Sequence, residues 1–111
     1  MNVVLLQGVL SSQPRVRTLP SEAVVLNWEL TTELDGVKQS VPIAWFDPPA
    51  SMHAIGQGDE VVITGSVRRR FYTARGQTVS RTEVVASQGV RASRKKQATR
   101  LRTLVAAVIE P

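Results

Sequence analysis

The sequence predicts an all-β fold, a five-stranded Greek-key barrel with a short helix after the third strand and a helix near the C-terminal end. Period-two alternation of apolar and polar residues dominates the first 90 residues. Asp35-Gly36 and Ala74-Arg75-Gly76-Gln77 carry the chemistry of tight hairpin turns. Helical spacing of apolar residues is read only beyond residue 100, at Leu101, Leu104, Val105 and Val108.

The first strand alternates Val4, Leu6 and Gly8 with Leu5 and Val9, and ends in the polar Ser11-Ser12-Gln13-Pro14, where proline removes a ladder donor. In the second, Val24, Leu26, Trp28 and Leu30 share one face, with Val25, Asn27, Glu29 and Thr31 on the other. Asp35-Gly36 pairs it directly with the third, Lys38 to Phe46, which Asp47-Pro48-Pro49 stops. Ala50 to Ile55 fits a short helical turn before Gly56-Gln57-Gly58-Asp59. Glu60 to Val67 is β-branched and continues as the fourth strand into the arginines, with Gly65 marking a bulge or bend. Thr78 to Ala86 returns as the fifth. This order is that of a small barrel of the oligonucleotide-binding (OB) type. The phase of Trp28 with Leu26, and of Trp45 with Ile43, places both indoles in the core or an interface.

With 111 residues and an apolar fraction of 42%, the chain fits one small domain with a real core. We assign residues 1–90 to the barrel and 91–111 to a basic, then apolar, segment. There is no cysteine, so disulfides and thiolate metal sites are excluded. No leader pattern opens the chain and no apolar run spans a membrane, so a soluble, cytoplasmic protein with no membrane partner is expected. His53 is the single histidine, and Asp59-Glu60 follows a turn without an acid partner, so no catalytic residue, metal or cofactor is expected. Gly56-Gln57-Gly58 is too short for a phosphate cradle and precedes a strand.

The charge is strongly polarised. Residues 1–60 hold three bases against seven acids, net −4, whereas residues 61–111 hold eleven bases against two acids, net +9. Such asymmetry is the footprint of a polyanion partner. Its centre is residues 68–81, where Arg68, Arg69, Arg70, Arg75 and Arg81 surround Phe71 and Tyr72 on the last hairpin. Arginines there could be solvated surface alone, but the interleaved rings distinguish this run. Phosphates take guanidinium and unpaired bases take a flat π surface, so single-stranded DNA is the expected ligand.

The chain from Asn2 to about Val90 resembles the core domain of the bacterial single-stranded DNA-binding protein family, over about four fifths of the sequence. The resemblance rests on Asn2 to Leu10 followed by Pro14-Arg15-Val16-Arg17, on Pro20 and the strand through Asn27 to Thr32, and on Phe46 closing the third strand. It rests also on Gly56 to Gly65, similar to the family's Lys-Gly-x-x-Val-x-Val-x-Gly element, and on Thr82-Glu83-Val84-Val85-Ala86. The resemblance implies that Phe46 and Phe71 stack bases, with Tyr72 beside them, and that Arg17, Arg68, Arg69, Arg70, Arg75 and Arg81 hold phosphates. No residue type here supplies a base-specific code, so weak sequence preference is expected, and the resemblance further implies a homo-oligomer (dimer or tetramer) and work in DNA replication, repair or recombination.

Departures from the family pattern carry expectations of their own. Leu34 and Ser40-Val41 stand where tryptophans are common, which implies fewer stacking platforms and weaker binding. Asp47 replaces a glycine after Phe46. No acidic tail follows the barrel, so contacts with replication proteins are not expected through such a tail. In its place Arg94, Lys95, Lys96, Arg100 and Arg102 lead into the apolar helical spacing, and this helix is expected to need a partner surface. Two alternatives compete: an accessory protein of the primosomal replication protein N type that contacts a helicase, and an OB module whose basic face binds an acidic protein.

Overall fold

The computed structural model describes residues 1–110, and Pro111, the last residue of the C-terminal segment, lies outside the described residues. Six strands, a 3-10 turn and one helix follow in order: β1 Val4–Leu10, β2 Arg15–Thr18, β3 Val24–Leu34, β4 Val37–Phe46, the turn Ala50–Ala54, β5 Glu60–Ala74, β6 Gln77–Arg91 and α1 Lys95–Ile109. β1 pairs antiparallel with β5 and, through Val9↔Thr31 and Leu10↔Leu30, with β3. β3 pairs with β4, β5 with β6, and the parallel contacts Ile43↔Val84 and Ala44↔Val85 join β4 to β6 and close the ring. β2 prolongs β1 along the same edge of β3, from Arg15↔Asn27 to Thr18↔Val24. The barrel therefore has the five expected strands, the first of them interrupted by residues 11–14 and completed by β2.

Both hairpins close through two-residue turns. Asp35 and Gly36 have φ of 52° and 77°, Arg75 and Gly76 of 51° and 76°. Positive φ at both central positions matches the right-handed strand twist, and glycine takes it without cost at the second. The turns pin the registers Leu34↔Val37 and Ala74↔Gln77.

β5 serves two sheets, and Gly65 is why it can. The register with β6 shifts between Thr64 and Gly65, and a Cβ at Gly65 would overlap the Val85 carbonyl oxygen. Before the bulge, β5 lies between β1 and the end of β6; after it, β5 and β6 run out as a hairpin. The radius of gyration is 14.6 Å, above the roughly 13 Å of a compact chain of this size, and the protruding hairpin accounts for the excess. β6 continues five residues past the expected Ala86, because the bulge restores its pairing with Val61 to Thr64.

The core joins Leu10, Leu26, Trp28, Leu30, Ile43, Trp45, Val61, Ile63 and Val84, with Met52 and Ile55 plugging one end. Trp28 and Trp45 are 2% and 3% exposed and meet edge to face at 5.7 Å. A second cluster forms where Ala98, Leu101 and Val105 of α1 cover Val62, Val3, Leu5 and Val90 on the outside of the barrel. The expected apolar face is thus divided: Leu101 and Val105 are buried, whereas Leu104 and Val108 are half exposed. α1 has no side-chain N-cap and no acid in its first turn. Its stability comes from this contact, and the surface it needs is supplied by its own barrel.

Candidate nucleic-acid interface

Strand alternation sorts the hairpin into two faces. Arg68, Arg70 and Tyr72 project to one side, opposite Glu83, Arg81 and Val79; Arg69 and Phe71 project to the other, opposite Thr82 and Ser80. The first side is continuous with the outer surface of β3 and β4, and the basic stretch is therefore divided between two surfaces.

On the first side Glu83 is only 3% exposed although it is a carboxylate. It accepts hydrogen bonds from Arg68 Nη2 at 2.7 Å and Arg70 Nε at 2.9 Å, with Arg81 Nε 3.9 Å away. Burial pushes its carboxyl up, but the two arginine hydrogen bonds and the charges behind them outweigh burial and hold it below the usual glutamate range. Arg81 also reaches Glu29 at 3.4 Å, and Glu29 accepts the Ser40 hydroxyl at 3.1 Å. Three guanidinium groups thereby gather around one buried carboxylate, on side chains that are 36% to 41% exposed.

Each ring lies beside an arginine. The Arg68 guanidinium sits 5.1 Å from the Phe46 centroid, Arg70 5.1 Å from Tyr72, and Arg69 5.5 Å from Phe71. Phe46 and Tyr72 share the first side and are 36% and 40% exposed, whereas Phe71, 67% exposed, stands on the reverse. Arg75 is at the hairpin tip. The structure brings Phe46, Arg68, Arg70, Tyr72 and Arg81 together and sets Arg69 and Phe71 apart.

Arg17 joins this face from β2. With Arg15, Arg70 and Arg81 it lines a polar groove of about 500 Å³, floored by Asn27, Trp28 and Glu29. The Trp28 indole itself lies in the core, where its buried Nε1 has no hydrogen-bond partner among the described residues. Sequence reasoning missed Arg15, Asn27, Glu29 and the organising role of Glu83. The last was within reach, since a turn centred on Arg75-Gly76 pairs residues whose numbers sum to 151, and so sets Glu83 against Arg68.

Asp47 explains its own substitution for glycine. It adopts φ of 48°, a left-handed conformation that aspartate tolerates, and its Oδ1 accepts the Val24 N–H at 2.9 Å. Its charge is engaged in closing the end of the β3–β4 ladder. His53 is exposed on the 3-10 turn. No helix among the described residues is long and apolar enough to cross a membrane.

A closed five-stranded barrel with this strand order has the OB-type architecture, and its outer face is cationic and bears aromatic rings. The model of the single-strand binding protein family matches residues 1–92, and the chain belongs to that family. Membership supports single-stranded DNA binding in general and places the chain in a non-catalytic family. No curated protein matches the chain.

Proposed function

We propose that this protein holds single-stranded DNA, with little sequence preference, along the face formed by β2, the outer surface of β3 and β4, and one side of the β5–β6 hairpin. The observation that carries this reading is the arrangement of Arg68, Arg70 and Arg81 around buried Glu83, with Phe46 and Tyr72 on the same side and Arg15 and Arg17 across the groove. Phosphates take the guanidinium groups, and bases stack on the two rings. Arg69, Phe71 and Arg75 serve strand that wraps to the reverse of the hairpin. The protein works as a homo-oligomer, a dimer or tetramer, in replication, repair or recombination, without catalysing a reaction.

Five arginines on this face against Glu29 and Glu83 leave three net positive charges. At about −0.7 per neutralised phosphate on a single strand, the logarithm of affinity should fall against the logarithm of salt with a slope of roughly −2 for a strand held on this face alone, steepening toward about −3.5 for one long enough to reach Arg69 and Arg75. Fluorescence anisotropy of labelled oligothymidine and a matching duplex over a salt series tests this. Preference for the single strand with that slope is the expected result. Equal affinity for duplex, or no binding at low salt, overturns the reading.

A further inference from the structure

The end of β6 has an edge that no strand covers. β4 pairs with β6 only at Ile43↔Val84 and Ala44↔Val85, so among the described residues Ala86 to Arg91 is laddered on its β5 side alone. In an antiparallel strand alternate residues turn their N–H and C=O to the free side, and these groups are a template for another strand.

This edge floors a groove of about 820 Å³ walled by the 3-10 turn on one side and α1 on the other. Leu104, 56% exposed, supplies most of the apolar surface, and the largely buried Met52 and Leu101 line the groove beside it. Arg91, Arg94 and Arg100 supply the charge. Arg91 is committed to Asp59 at 3.1 Å and to the Ala54 carbonyl at 3.0 Å, bridging the groove's end. Arg94 and Arg100 make no salt bridge among the described residues. No aromatic residue lines the groove, so it offers bases no stacking platform.

We propose that this groove binds an extended acidic segment of a partner protein, which adds to the free edge of β6 as a short strand. Main-chain hydrogen bonds to β6 give affinity, alternate apolar side chains enter between Leu104 and Met52, and the acidic side chains pair with Arg94 and Arg100. The free edge, Ala86 to Arg91, accommodates about six residues at roughly 3.4 Å each. Along β6 the groove begins at Ser87, four residues or about 13 Å of extended strand beyond Glu83 at the centre of the proposed DNA-binding face, and none of the arginines of that face lines it. The inference does not depend on the DNA reading.

The test uses the full chain and a fluorescein-labelled octapeptide that alternates aspartate with leucine or valine, with lysine-for-aspartate and serine-for-leucine versions as controls, at physiological salt. The acidic apolar peptide should bind and both controls should not. Reversing both free cations, R94E at the N-cap of α1 with R100E on its exposed side, should weaken the peptide by roughly tenfold or more. Oligothymidine affinity should stay within about twofold, since these cations are outside its proposed path. Amide hydrogen exchange at Gln88 to Val90 should slow on adding peptide. The proposal fails if the acidic peptide does not bind, if it binds the reversed variant equally, if saturating oligothymidine displaces it, or if exchange at Gln88 to Val90 does not change.

Discussion

Replacing Glu83 by glutamine should weaken the fold and strengthen DNA binding at once. Glu83 is the buried acceptor of two charge-assisted hydrogen bonds, from Arg68 and Arg70. Such bonds contribute about 1.5 to 3 kcal/mol each in favourable settings. Here the arginine side chains are 40% and 36% exposed and can turn to water, and the glutamine oxygen retains one acceptor, so we expect a net loss of about 1 to 2 kcal/mol. On the DNA side the substitution raises the face from three net positive charges to four, and the salt slope should steepen by about 0.7. Urea unfolding and oligothymidine anisotropy on the same preparation read both effects. An unchanged unfolding midpoint would show that the carboxylate does not hold the arginines. Affinity that falls while the protein remains folded would show that this cluster does not face the phosphates.

Further expectations concern pH, the bulge and the helix. Because the folded Glu83 carboxyl lies below its ordinary value, its contribution is present above the unfolded pKa of about 4.3 and is lost as pH falls through the lower folded value; the Glu83→Gln variant should show a smaller loss of stability over that acid range by thermal unfolding. Gly65→Ala drives a methyl into the Val85 carbonyl and should cost about 1 to 3 kcal/mol in urea. Leu101→Ala removes the centre of the contact between α1 and the barrel and should cost about 2 to 3 kcal/mol. Its amide exchange should rise in Lys95 to Ile109 more than in β5.

Much of the fold was legible because local rules and tertiary structure agree. Asp35-Gly36 fixes one hairpin, the alternation around Trp28 and Trp45 selects the inner face, and Gly65 announces the bulge that it makes. β2 was silent because all four of its side chains are exposed, which leaves no alternation to read. The end of β6 reads Ser87-Gln88-Gly89, polar and flexible, and becomes strand only because β5 presents a partner beyond the bulge. The site was half legible. Its residue types were visible in the sequence, but counting the arginines as one patch ignored the pleat, which sends Arg69 and Phe71 to the reverse. The groove between Arg15, Arg17, Arg70 and Arg81 joins segments more than fifty residues apart, a juxtaposition that only barrel closure produces.

The most direct test of the binding face compares oligothymidine affinity for Tyr72→Ala, Phe46→Ala and Phe71→Ala at one low salt concentration, with folding checked by circular dichroism. Stacking gives about 1 to 3 kcal/mol per ring, so Tyr72→Ala and Phe46→Ala should each weaken binding by roughly 5-fold to 150-fold, and Phe71→Ala by less. A larger loss for Phe71→Ala than for either of the others would place the strand on the reverse of the hairpin and contradict the account.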